Sequence, residues 1–416
     1  MGSAASGPLP QTWRSRLVFV VWGIVLLILP LVSHAGGLGM APLAAIIGGA
    51  GLLVSIDKIN MMAIPAWLMA ITAFLFWAFL SQIWSPYQNS NTLSNPFKLG
   101  FGVVLYLGSL LTTKWIIRRD HHVLGWLVIF VAGLALTLLA VDVLTGYALT
   151  RTVDPVRPGE TISTKNLRVI MNLGHGVAVL SVLLPIAMWA LWIKAGRYGY
   201  VALVLPTALI GLSSMAGLTV GIVAPIMSII IVYLACQMPE FSLRSVFILA
   251  GLTLIFAPVL GVLSSMFIEQ FGGVLPRPWE HRLVMWAYST EKILEQPWIG
   301  HGFDAVRTFD RVMDHPDFPD WRVMSLHPHN FGLHIWLETG LVGIILAVTA
   351  LLFIRREAIQ YASGDRFKSG VICGVMISLI IIGNVSYGVW QHWLWALVFF
   401  ATGLLRLVFR VTEKTL

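Results

Sequence analysis

The residues of this 416-residue chain best suited to chemistry gather in one short stretch, His327-Pro328-His329-Asn330, which runs into His334 and Glu338. An imidazole titrates near neutrality, so it can accept or give a proton where most side chains cannot. The stretch lies where a polar segment ends and an apolar one begins, which puts these imidazoles at a membrane surface. His329 is the candidate general base. Its plainer reading is an interfacial hydrogen-bonding residue at a helix start, and the neighbours His327, Asn330 and His334 favour the chemical one. Glu338 and Asp142 are the two acids placed inside apolar runs. Acids there are costly and are usually paired or functional. For Glu338 the alternative is a structural hydrogen bond that fixes its helix.

Cations supply the second half of the pattern. Arg277, His281 and Arg282 precede the histidines in the same extramembrane segment, and Arg168 closes an earlier one that also carries Arg151, Arg157 and Lys165. The guanidinium fork suits phosphate oxygens, so Arg282 and Arg168 are candidate phosphate or diphosphate ligands. An anionic lipid headgroup or a nearby acid is the ordinary partner. Gly300 and Gly302, in Pro297-Trp298-Ile299-Gly300-His301-Gly302, read as a turn whose glycines meet a backbone requirement. No nucleotide-binding loop of the GxxxxGK[ST] or GxGxxG kind is present. Asp314, His315, Asp317 and Asp320 are broken up by prolines and read as a solvated acidic turn, so no metal is expected. Cys236 and Cys373 form neither a CxxC pair nor a disulfide framework.

These residues must be positioned by membrane helices. The chain is 57% hydrophobic and 11% charged, with mean hydropathy +0.83, whereas soluble domains carry about 25% charged residues. Twelve apolar runs read as spans, at 17–34, 38–55, 63–82, 99–115, 123–145, 169–193, 200–213, 216–236, 246–266, 331–354, 369–387 and 391–408. The seventh is short and reads as one half of a broken pair with the eighth. The net charge of +8 does not indicate nucleic acid, because the basic residues flank the spans. Arg14, Arg16, Lys114, Arg118, Arg119, Lys194, Arg197, Arg244, Arg355, Arg356, Arg406, Arg410 and Lys414 fall on one side if both termini are cytoplasmic. The expected organisation is a leader at 1–16, spans one to nine across 17–266, a large outward loop at 267–330, three spans across 331–408 and a tail at 409–416. Within the loop, helical periodicity covers Arg282–Leu294 and Ala305–Met313.

Four segments together resemble the O-antigen ligase and polymerase superfamily: Trp279-Glu280-His281-Arg282, Pro297-Trp298-Ile299-Gly300-His301-Gly302-Phe303, His327-Pro328-His329-Asn330 and Glu338-Thr339-Gly340-Leu341-Val342-Gly343. The resemblance implies an all-α polytopic membrane protein of about 12 transmembrane helices with one large periplasmic loop, of the membrane-embedded glycosyltransferase (GT-C) type. It implies a Gram-negative inner-membrane enzyme that moves a glycan from undecaprenyl diphosphate onto lipid A–core oligosaccharide at the periplasmic face. Transfer would be inverting and metal-independent, without a cofactor. His329 would be the general base and Arg282 a diphosphate ligand, with Arg277 and His281 near the donor and His327, Asn330, Glu338, Gly300 and Gly302 in support. The family carries a further arginine in a Ser-Arg-Gly-like segment. Here that region reads Ser213-Ser214-Met215-Ala216-Gly217, so Arg168 is the substitute.

Two alternatives stand beside the ligase. A repeat-unit polymerase or a protein O-oligosaccharyltransferase of the same superfamily would use a like donor with another acceptor. A polysaccharide or lipid transporter would place ionisable groups near the bilayer midplane and show duplicated halves. This chain concentrates His and Arg at one surface and shows no duplication.

Overall fold

The computed structural model describes residues 12–34, 36–37, 39–58, 64–87, 95–153, 161–271, 275, 277–313, 321–324 and 326–410. Helices dominate. In the first half they are α1 Trp13–His34, α2 Met40–Ser55, α3 Ala66–Leu80, α4 Asn95–Thr112, α5 Arg118–Leu144, α6 Ala148–Val153, α7 Ile162–Ala195 and α8 Val204–Met215. The second half adds α9 Val220–Gln237, α10 Pro239–Ile255, α11 Ala257–Phe271, α12 Arg277–Glu295, α13 Phe331–Ala362, α14 Arg366–Val385 and α15 His392–Arg410. A two-stranded antiparallel ribbon pairs β1 Val312–Met313 with β2 Trp321–Arg322.

Among the described residues nine helical segments are long and apolar enough to cross a membrane, or ten if the bent pair α10–α11 is one span. The chain is therefore a multi-pass, all-α membrane protein. Large apolar side chains on its outside agree: Val20, Ile24, Leu27 and Leu31 form a stripe along α1 that is 50–62% exposed, a surface that water does not tolerate but hydrocarbon does.

All twelve apolar runs fall on helices, but not as twelve separate straight spans. The ninth, at 246–266, breaks at Phe256 and bends by 64° between α10 and α11. The seventh continues from α7 through a tight 3-10 stretch, Gly196–Leu203, so that Lys165–Met215 is one apolar run. Between α11 and α13, the Arg282–Leu294 periodicity lies inside α12. The Ala305–Met313 stripe does not form one helix: a single 3-10 turn, Ala305–Thr308, is followed by β1. Its apolar residues Ala305, Val306 and Phe309 are buried all the same, so burial rather than helical period produced the pattern.

The chain forms two compact units. The first comprises residues 1–59, 102–232 and 392–416. Close helix approach organises it. A Cβ on Gly48 would lie 1.7 Å from the Leu105 carbonyl oxygen, and one on Gly51 would lie 1.9 Å from that of Gly108, as expected where small residues let membrane helices touch. Asp142 is fully buried here. It accepts from the Thr150 amide at 3.2 Å and from the Thr150 hydroxyl, and pairs with His34 Nε2 at 3.1 Å. A paired acid of this kind holds α6 against α5.

The second unit comprises residues 60–101 and 233–391 and contains α3, α10 to α14 and the connection between α11 and α13. Its core joins Ala257, Met285, Trp286, Tyr288, Ile293, Val306, Phe309, Val323, Met324, Leu333 and Leu337. The connection is thus packed onto α11 before it and α13 after it.

Candidate active site

The start of α13 builds the site. Asn330 caps the helix, its Oδ1 accepting from the Leu333 amide at 3.0 Å, and its Nδ2 donates to Asn384 Oδ1 at 3.2 Å. One residue earlier, His329 has φ +53. A non-glycine residue in the left-handed region is strained and persists only where its surroundings hold it. Two contacts do so. The His329 amide donates to His327 Nδ1 at 3.3 Å, and the His329 ring lies 2.5 Å, Nδ1 to oxygen, from the Ser386 carbonyl.

The second contact fixes the tautomer. A carbonyl oxygen only accepts, so Nδ1 carries the proton, and the neutral ring presents a bare lone pair at Nε2. Among the described residues nothing hydrogen-bonds to Nε2 of His329. Burial pushes the His329 pKa down to about 4. The nearby charges of Arg282, His281 and His334 add to that, while the bond to Ser386 opposes it.

The other two histidines are structural neighbours of the first. The His327 ring stands 4.4 Å from that of His329 and 6.2 Å from that of His334, centroid to centroid. Its Nε2 lies 3.2 Å from the Gln391 side-chain amide. His334 Nδ1 accepts from the Val389 amide at 3.3 Å and its Nε2 faces Glu338 Oε1 at 3.4 Å. Glu338 is completely buried. Trp390 Nε1 donates to its Oε2 at 2.7 Å, and the Val306 amide to its Oε1 at 3.4 Å. The bonds from Trp390 and Val306 join other segments to Glu338, so the carboxylate ties the 304–306 turn and the α14–α15 connection to α13.

Directly below Glu338, α13 breaks at Gly340, which has φ +62 and ψ −162. The segment Pro297–Gly302 fills the break by backbone exchange. His301 and Gly302 amides donate to the Leu337 and Glu338 carbonyls at 2.7 and 3.0 Å. The Leu341 and Val342 amides donate to Pro297 and Trp298 carbonyls at 2.9 and 3.2 Å. No side chain fits this crossing. A Cβ on Gly340 would sit 2.5 Å from Trp298 backbone, and one on Gly300 would sit 2.5 Å from Glu338 and Thr339 backbone. Gly302 faces the other way, its Cβ position 2.6 Å from Ser85 Cα. Trp77 and Trp84 complete the joint, donating to the carbonyls of Thr339 at 3.0 Å and Gly300 at 3.1 Å. The two motifs 297–303 and 338–343 are therefore halves of one backbone joint.

Arg282 reaches the site from α12. One turn further along that helix, Trp286 Nε1 donates to the Pro328 carbonyl at 2.9 Å, docking α12 onto the His327–His329 segment. Residues four apart share a helix face, so Arg282 is carried to the same side. Its guanidinium lies 5.2 Å over the Trp279 ring and one Nη donates to the Pro278 carbonyl at 3.2 Å. Its Nε is buried without a hydrogen-bond partner among the described residues. Burial lowers the pKa of this guanidinium. A desolvated, incompletely bonded arginine is disposed to take an anion. His281 Nε2 lies 3.4 Å from the Arg322 carbonyl. Arg277 opens α12, its side chain outside the described set, and Arg168 stands half-buried on α7 in the first unit. The acidic residues 314–320 also lie outside the described residues, and the described ones contain no cluster fit for a metal.

Sequence reading passed over the connection Ser386–Gln391, taking it as the end of one span and a minimal turn. It supplies the carbonyl that sets the His329 tautomer, the amide that meets His334, the indole on Glu338 and the side chain on His327. Gly388 lies so close that a Cβ there would be 2.9 Å from the His327 ring and 3.0 Å from that of His334. The signal was its composition, Ser-Tyr-Gly-Val-Trp-Gln between two apolar helices.

Comparison with known proteins agrees with the motifs. Residues 167–348 match the O-antigen ligase family, a segment that includes Arg168, Arg282, His329, Glu338 and Gly340. The chain is similar to proteins bearing the name "Putative polysaccharide ligase" from Rickettsia conorii and Rickettsia bellii. It is 33% identical over 126 residues to the first, 28% of this chain and 30% of the relative. To the second it is 31% identical over 170 residues, 38% of this chain and 41% of the relative. The chain thus spans well under half the length of these curated relatives. Residues 167–348, which carry these motifs, thus resemble the O-antigen ligase family.

Proposed function

We propose that the chain transfers a glycan from undecaprenyl diphosphate to lipid A–core oligosaccharide, with His329 as general base and Arg282 as a diphosphate ligand. The observation that carries this reading is the bare Nε2 of His329, fixed by the bond to Ser386 and lying within the electrostatic reach of Arg282. The acceptor hydroxyl gives its proton to Nε2 as its oxygen attacks the anomeric carbon. The bond from that carbon to the diphosphate oxygen breaks on the opposite face, so the configuration inverts. The departing diphosphate gathers charge, and Arg282, with Arg277, His281 and Arg168 as further cationic candidates, stabilises it. His327, Asn330, Glu338, Gly300 and Gly302 hold the geometry.

Donor binding also prepares the base. In the free protein His329 is a weak base, its pKa about 4. A bound diphosphate offsets the arginine charge and draws the imidazole pKa back toward neutrality, where general base catalysis is most effective. The reading places the enzyme in a Gram-negative inner membrane with the site facing the periplasm, on a GT-C type scaffold of about twelve spans. No cofactor enters the scheme.

The test is reconstitution of the purified protein in proteoliposomes with lipid-linked glycan and each acceptor in turn. A covalent product on lipid A–core supports the ligase. Product only on a second donor glycan, or only on a protein acceptor, replaces it with the polymerase or the protein-glycosylating enzyme. Sugar translocation without a covalent product makes the chain a transporter.

A further inference from the structure

At the far end of α13 from His329 lies a second cationic site. Arg244 on α10 and Arg355 and Arg356 on α13 line one open cavity of about 560 Å³ with Thr349, Leu352 and Phe353. Arg244 is paired with Glu240, one turn earlier on its helix. Arg355 and Arg356 have neither hydrogen bond nor ion pair among the described residues. The site thus holds two guanidiniums without protein counter-charges, on a membrane protein that otherwise pairs or stacks many of its cations.

The surface leading away from them is apolar. On α10, Ile248 and Leu252 follow Arg244 at steps of four residues and are 49% and 44% exposed. On α13, Leu352 and Ile345 precede Arg356 by four and eleven residues and are 50% and 55% exposed. Steps of four, seven and eleven keep to one helical face. Each helix therefore presents a cationic head and an apolar lane. We propose that this surface binds an anionic phospholipid, its phosphate at Arg355 and Arg356 and its acyl chains along the two lanes. Guanidinium forks match phosphate oxygens, and exposed apolar lanes suit acyl chains. Free phosphate has no use for the lanes.

The proposal is tested on the full-length protein in detergent, by native mass spectrometry and thermal unfolding. Phosphatidylglycerol, phosphatidylcholine of the same chains and inorganic phosphate are compared as ligands. The expected result is retention and stabilisation by phosphatidylglycerol, little by phosphatidylcholine and none by phosphate. Interfacial cations contribute about 1 kcal/mol each, or about fivefold, so the Arg355→Gln/Arg356→Gln variant should weaken phosphatidylglycerol binding roughly twenty-fivefold. Arg356→Gln alone, at an exposed position, should give about fivefold should the double variant fold poorly. Equal binding of the two lipids, stabilisation by phosphate alone, or an unchanged preference in the variants would each overturn it.

Discussion

Three features meet in His329: a left-handed backbone, a donor bond to Ser386 and a depressed pKa. They make one chemical statement, a neutral ring with Nε2 available. Because the pKa of the free protein is pushed down to about 4, kcat/KM should not fall on account of His329 until the pH approaches 4. An ordinary histidine would begin to fail near 6.5. The same shift bears on stability. The folded pKa lies below the unfolded one, so between pH 6.5 and about 4 the unfolded chain takes up a proton that the folded chain refuses. The stability due to neutral His329 is complete above 6.5 and is lost as the pH drops through that window. His329→Gln should flatten this part of the stability profile. A kcat/KM limb at 6.5 that moved when His329 was replaced would refute the assignment.

At the level of elements, the site depends on two connections that make no direct chemical contribution. One is the joint at Gly340. Gly340→Ala adds the cost of a backbone region that essentially only glycine occupies, about 1–3 kcal/mol, to a clash with Trp298 backbone at 2.5 Å. The detergent melting temperature should fall clearly, whereas Gly133→Ala, with nothing within 4 Å of its Cβ position, should leave it unchanged or higher. The other connection is Ser386–Gln391. Gly388→Ala should displace His327 and His334 and reduce transfer more than stability, measured as kcat against melting temperature. Wild-type kcat in that variant would remove the connection from the account. These elements also show what a sequence makes legible. Asn330, His334 and Glu338 lie on one helix and its cap, so spacing alone brings them together. Arg282 arrives through tertiary docking at Trp286 and Pro328, which motif identity suggested but periodicity did not show. Ser386–Gln391 acts through backbone carbonyls and amides, which leave little side-chain signature. The 305–313 segment misled because apolar spacing reports burial, and a turn with a short strand can bury the same residues as a helix.

For the molecule as a whole, hydropathy was enough to reveal a multi-pass helical protein, since crossing hydrocarbon demands long apolar runs. It did not reveal the bend at Phe256 or the continuity of 165–215, because both depend on backbone geometry between runs. Within the first unit, the approach of α2 to α4 is set by single glycines. Gly48→Ala meets the Leu105 carbonyl at 1.7 Å, while nothing lies within 4 Å of a Cβ on Gly49. The first substitution should lower the melting temperature sharply and the second should not; equal effects would contradict the packing described.

The functional reading can be checked in one assay, transfer in a single turnover from lipid-linked glycan to lipid A–core by wild-type protein and His329→Ala, with donor binding measured in parallel. Loss of the general base should slow transfer by about 10²–10⁴-fold while donor binding persists through Arg282. Transfer at the wild-type rate in His329→Ala would contradict the assignment outright.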